Sequence, residues 1–178
     1  MYRLFVAIDL PEEVKKTVEN ISGDLPGAHW VAADQLHLTL RFIGEVDEGL
    51  FRQIREALAG VSGNPFSLTL KGIGHFPPGK RARVLWVGMG ESEELLKLQK
   101  KVELALIDAG IAPEARRFSP HITIARMKET PAARVLAFEE KHGGFETPAF
   151  PVEVFYLYSS TLSREGAVHK REATYAFR

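Results

Sequence analysis

Two of the six histidines in this 178-residue chain open nearly the same tetrapeptide, HLTL at 37–40 and HITI at 121–124. In each copy a histidine and a threonine stand two positions apart, with apolar residues between and after them. Residues two apart on a β-strand project to the same face. Each motif therefore presents an imidazole and a hydroxyl together, while Leu38 and Ile122 anchor the other face in a core. Imidazole exchanges a proton near neutral pH, and a threonine hydroxyl can donate to a non-bridging phosphate oxygen. Two such pairs facing one another would clamp one phosphoryl group between His37 and Thr39 on one side and His121 and Thr123 on the other. Displacement at phosphorus needs a base for the attacking hydroxyl or water and an acid for the departing oxygen, and the two imidazoles supply both. They suit a metal poorly. Each strand offers one good ligand, without a His-x-x-x-His or carboxylate-rich partner, so neither a metal nor another cofactor is expected.

A solitary strand histidine is most simply a solvated residue, and threonine is at home in any strand. Repetition lifts these four above that reading. The other histidines lack it. His142, in KHGG, sits where a helix should end and suits its terminal carbonyls. His29 and His169 read as loop or surface residues. His75 lies in GIGHFPPGK, a turn-rich segment without the spacing, the Ser/Thr or the following helix of a P-loop. Counting in twos from His37 puts Arg41 on the face of Thr39, as a candidate phosphate contact. Lys80, Arg81, Arg83, Arg116 and Arg117 flank the second-half strand and motif, as ordinary solvated charge or as a patch steering an RNA end. Phe42, Phe118, Trp30 and Trp86 are expected in the core, with Phe118 nearest the cleft edge.

The elements that must position the motifs recur in the same order. RLFVAIDL reads as a strand, and Pro11, Glu12 and Glu13 open a helix carrying Val14, Val18 and Ile21 at helical spacing. QLHLTLRFIG alternates apolar and polar residues as a half-buried strand. Asp47 caps a helix with a Leu50, Ile54, Leu58 and Val61 stripe, and PFSLTLKGIGHF is the next strand. From Arg83 the order restarts: the strand RVLWVGMG, a long helix opened by Ser92 and closed by Gly110, then FSPHITIAR. A helix from Thr130 and Pro131 to about Gly143 follows, and FPVEVFYLYSS with ATYAF supplies the closing strands. The two histidines lie about 84 residues apart in equivalent slots, too far for a solenoid repeat and right for a duplication. The pattern predicts one domain, 1–178, with pseudo-symmetric halves of about 1–80 and 81–178.

Twenty-three basic and twenty-three acidic residues balance. That argues against gripping long nucleic acid through many phosphate contacts and leaves room for a small phosphorylated ligand or an RNA end. The absence of cysteine excludes disulfides, thiolate nucleophiles and Cys-type zinc sites, and predicts a cytoplasmic protein. MYRLFVAIDLPEE lacks the long apolar core of a signal peptide, and no run approaches the roughly 20 apolar residues of a membrane span. No membrane or obligate protein partner is expected, and a pseudo-dimer predicts a monomer.

These residues resemble the 2H phosphoesterase superfamily, named for two His-x-Thr/Ser motifs, and most closely its bacterial and archaeal RNA 2′,3′-cyclic phosphodiesterases, long called 2′-5′ RNA ligases. The likeness runs through RLFVAIDLP, HLTLRFIGEV, RVLWVGM, RRFSPHITIAR and LYSSTLSREG, nearly the whole chain. It implies a bilobal α+β fold, a pseudo-twofold duplication with two antiparallel sheets lining a central cleft and helices outside; substrates would be RNA ends or cyclic nucleotides. It also implies hydrolysis of a terminal 2′,3′-cyclic phosphate to a 2′-phosphomonoester. Carried over, His37 is the proton donor to the leaving 3′-oxygen and His121 the base, with Thr39 and Thr123 on the phosphate. The near symmetry of the halves leaves that order open on the residues alone. Arg126 matches a family arginine that approaches the phosphate. Strict alternation from His121 puts it on the wrong face, so that role requires a bulge or an early strand end. Where many relatives have a tyrosine after the Ser-x-Leu-x-x-x-Gly segment, this chain reads GAVHKREATY. Two other readings stand beside hydrolysis: the reverse reaction, joining a cyclic end to a 5′-hydroxyl as a 2′-5′ RNA ligase, and a non-catalytic nucleotide-binding module.

Overall fold

The computed structural model describes residues 1–23, 25–164 and 166–177. In chain order these form β1 (Tyr2–Asp9), α1 (Glu12–Glu19), β2 (Ala28–Trp30), a 3-10 turn (Ala33–Gln35), β3 (His37–Val46), α2 (Glu48–Ala59), β4 (Phe66–Leu68) and β5 (Leu70–Phe76). The order then repeats as β6 (Val84–Met89), α3 (Glu93–Asp108), β7 (His121–Met127), α4 (Ala132–Lys141), β8 (Phe150–Val152), β9 (Val154–Ser163) and β10 (Gly166–Ala176). This is the predicted α+β duplication, with each His-x-Thr motif at the very start of its strand.

Local chemistry sets the helix ends. Asp47 accepts a hydrogen bond from the Leu50 amide at 2.8 Å and Ser92 one from the Leu95 amide at 3.1 Å, which starts α2 and α3. Gly110, at φ +102°, ends α3 in a left-handed turn, and the Ile111 amide then donates back to Leu106 at 3.0 Å. The stretch around DLPGAHW contains short β2 and the 3-10 turn, elements too brief for a periodic signal.

The sheets do not divide where the sequence does. One runs β10-β9-β1-β3 and the other β2-β7-β6-β5, every pairing antiparallel. The final strand of the first half, β5, pairs with β6 of the second, and β9 of the second half pairs with β1 of the first. Short β4 and β8 also join across the halves. The halves have therefore exchanged strands, and neither can form its four-stranded sheet alone. A continuous apolar core draws on both, including Leu4, Leu38, Ile54 and Leu58 with Leu85, Val102, Ile122 and Phe155. Leu38 and Ile122 are fully buried, each worth about 1.5–3 kcal/mol. A separate small cluster of Phe5, Ala7 and Tyr158 covers the opposite face of β1 and β9, beside His37. Among the described residues, no helix is long and apolar enough to cross a membrane.

Candidate active site

The two motif strands lie in different sheets and approach one another: β3 edges one sheet, β7 lies within the other, and the two strands are in contact across the sheets. His37, Thr39, His121 and Thr123 are all half-buried, while Leu36, Leu38, Leu40, Ile122 and Ile124 are in the core. That is the two-faced arrangement the alternation predicts.

Around His37 the strand partners build an aromatic wall. Phe5 of β1 lies 4.9 Å from the imidazole, nearly parallel at 26°, and Tyr158 of β9 stacks on Phe5 at 5.1 Å. His169 of β10 stands edge-on to both, 5.1 Å from His37 and 4.9 Å from Phe5. Burial first, and the neighbouring His169 second, lower the His37 pKa to about 4. A hydrogen bond to the Gln35 backbone and the Asp9 charge oppose the shift without cancelling it. At that value the His37 ring is neutral at pH 7.

The second motif has the same anchor in a different setting. His121 Nδ1 lies 2.7 Å from the Ser119 carbonyl oxygen, two residues upstream, as Gln35 is for His37. A carbonyl only accepts, so Nδ1 carries the proton and Nε2 of the neutral ring keeps a lone pair. Phe76 packs edge-on to the ring at 4.9 Å, and Trp86 lies 6.5 Å away. Gly74, directly opposite Trp86, makes room for that indole: a Cβ there would come within 2.3 Å of it.

Both strands bulge at the same point after the motif. In β3 the partners step from Ala7↔Thr39 to Val6↔Arg41, and in β7 from Trp86↔Thr123 to Leu85↔Ala125, leaving Leu40 and Ile124 as the extra residues. Alternation resets there. Arg126 returns to the face of His121 and Thr123 and is exposed, so the bulge its role requires is present. His29 of β2 stands directly opposite Arg126 and shares that face.

The same reset corrects the reading of Arg41 and Phe42. Arg41 turns to the buried side, where Nε meets Glu103 of α3 at 2.9 Å and the other nitrogens donate to the carbonyls of Phe42 (2.6 Å) and Ala112 (2.5 Å). It is 7% exposed and does not share the face of His37 and Thr39. Phe42, expected in the core, takes that outward place at 60% exposure. Arg41→Ala is expected to cost about 3 kcal/mol, since Glu103 would lose its cation and two carbonyls their donor. Urea unfolding measures that loss, and turnover by the folded variant should stay within about twofold of wild type.

The remaining histidines sort by position. His142 caps α4, as expected. His75 is on β5 rather than in a loop, bonded to Glu139 and, through Nε2, to the Gly79 carbonyl at 3.1 Å. His169 is the main residue that sequence reasoning misplaced: it is a strand residue inside the His37 cluster. Nothing in its own surroundings, AVHKR, marked it, since no threonine follows two residues on. Among the described residues no three His, Asp or Glu side chains group as metal ligands.

A family model described as LigT like phosphoesterase matches the chain twice in succession, over residues 8–86 and 87–169. The chain belongs to that family. The two matches meet inside β6. Among curated relatives of this LigT-like chain, an RNA 2′,3′-cyclic phosphodiesterase of Thermotoga maritima is 40% identical over 176 residues, covering 94% of this chain and 91% of the relative. One of Thermus thermophilus is 38% identical, covering 94% and 86%. The crystal structure of E. coli LigT complexed with 3′-AMP matches the LigT-like fold described here at a TM-score of 0.77, with 27% identity over 99% of this chain and 98% of the other.

Proposed function

We propose that this LigT-like phosphoesterase hydrolyses the 2′,3′-cyclic phosphate at an RNA end to a 2′-phosphomonoester, by acid–base chemistry between His121 and His37 that needs no metal. The observation that carries the reading is the matched pair of His-x-Thr faces, each imidazole hydrogen-bonded to the carbonyl two residues upstream. The names of the relatives supply the substrate class.

His121 suits the base. With Nδ1–H held by Ser119, Nε2 takes a proton from water as its oxygen bonds to phosphorus. The bond from phosphorus to the 3′-oxygen breaks, and His37 protonates that oxygen. His37 begins neutral, so the substrate must help to charge it. A phosphate anion about 4 Å away is worth about 4 kcal/mol at the effective dielectric of a protein surface, or about three pK units. That is enough to bring a group from about 4 to near neutrality. Thr39 and Thr123 donate to the non-bridging oxygens, and Arg126 neutralises them. Phe42, the counterpart of Arg126 after the first motif, offers an exposed ring to a base.

Incubation of a short RNA bearing a 2′,3′-cyclic phosphate, with a chelator present, tests this. The expected product is the 2′-phosphate alone. A 3′-phosphate would reverse the regiochemistry, and no product under saturating substrate would leave the site as a nucleotide-binding module. The same site run backwards would join a cyclic end to a 5′-hydroxyl, but the balanced charge offers no track for a second RNA.

A further inference from the structure

His169 belongs to the site without having been assigned a part in it. Its ring stands 5.1 Å from His37 at 71° and is held there by Phe5 at 4.9 Å and Tyr158 at 6.5 Å. Phe5 and Tyr158 are buried, at 3% and 7% exposure, so this wall is fixed. The strand is tied in as well: across the sheet His169 pairs with Ser160, and Gln35, just before the first motif, donates to the Ala167 carbonyl. The His169 ring is half-exposed.

We propose that His169 is a positioning residue for His37: held edge-on by Phe5 and Tyr158, it allows the two rings only one proton between them and so ties the charging of His37 to the arrival of the substrate phosphate. The inference rests on the proposed acid–base role of His37. Two imidazolium rings this close repel, and the less buried one takes the first proton. Burial lowers the pKa of His169 as well, with Asp34 opposing the shift, whereas His37 is lowered further, to about 4.

The other charged and titratable groups here leave that ordering in place. Asp9 of β1 lies 3.0 Å from Lys15 of α1 and also pairs with Arg171 of β10, so its charge is largely spent before it reaches His37. Lys15 opposes a charged His37 and Asp34 favours a charged His169. On β9, burial raises the Tyr158 pKa, which keeps it neutral, and Tyr156 lies under the Arg171 guanidinium at 4.1 Å. Glu172 of β10 is bonded to Ser159.

The test is an NMR titration of the His37 ring in the full-length protein without substrate, for wild type, His169→Phe and His169→Gln. Phenylalanine keeps the apolar wall and glutamine keeps a polar side chain; neither can be charged. In both, the His37 midpoint should rise by about one pH unit, and it should do so in variants whose amide spectra remain those of the folded protein. The corresponding limb of the pH profile of kcat/KM, measured with the cyclic-phosphate RNA, should move the same way. A His37 midpoint unchanged in His169→Gln would overturn the proposal, because a packing role alone would not separate charge from shape. Absence of turnover in wild type would instead sink the proposed reaction and leave the ring titration as an independent answer.

Discussion

Replacing His121 by alanine is expected to lower turnover of an RNA 2′,3′-cyclic phosphate about 10²–10⁴-fold, and replacing His37 to do the same, while the fold survives. Survival follows from where the rings sit: both are half-buried on the site face, and the core contacts of their strands come from Leu38 and Ile122. The two losses should differ in detail. Without His121 no positioned lone pair meets the attacking water, so the reaction should recover as hydroxide rises. Without His37 the 3′-oxygen must leave unprotonated, and substrates with a more acidic leaving group should be hurt less. Circular dichroism and urea midpoints close to wild type would assign the losses to chemistry. Normal turnover by either variant would contradict the account.

The second large effect belongs to Arg126. Arg126→Ala should lower kcat/KM about 10- to 100-fold, the worth of a charge-assisted hydrogen bond of about 1.5–3 kcal/mol. Arg126→Lys should restore only part of it, because an ammonium keeps the charge and loses the two-pronged geometry. Steady-state kinetics on the same RNA decide it, and a change under twofold in the alanine variant would place Arg126 outside the phosphate's reach. Its exposed position makes a stability effect small, which separates it from Arg41, where stability changes and turnover does not.

Those two arginines show where reading the chain succeeded and where it stopped. The repeated order of strand, helix and His-x-Thr strand was legible because each long element is amphipathic at its own period. The faces of the four residues that make up each motif, 37–40 and 121–124, were legible for the same reason. Beyond that, one extra residue in each strand, Leu40 or Ile124, inverts everything downstream. No apolar pattern marks the bulge: Leu40-Arg41 and Ile124-Ala125 place a charged and a small residue at equivalent buried positions, one satisfied by Glu103 and two carbonyls. The exchange of β5 and β9 was invisible for a different reason. Pairing partners far apart in sequence leave no local trace, and an exchanged strand has the same alternation as one that stays at home. His169 was lost with it, since only the pairing of β10 with β9, and of β9 with β1, carries that ring to His37.

In the proposed reaction His37 and His121, supplied by separate halves of a duplicated chain, work as one acid–base pair on one phosphate. Single-turnover cleavage of the cyclic-phosphate RNA by His37→Ala, His121→Ala and the double variant, with a chelator present, decides whether they do. Groups that act as a unit lose nearly everything with the first removal, so the double variant should be within about threefold of the slower single one. Losses that multiply in the double variant would mean two independent contributions and contradict the pair.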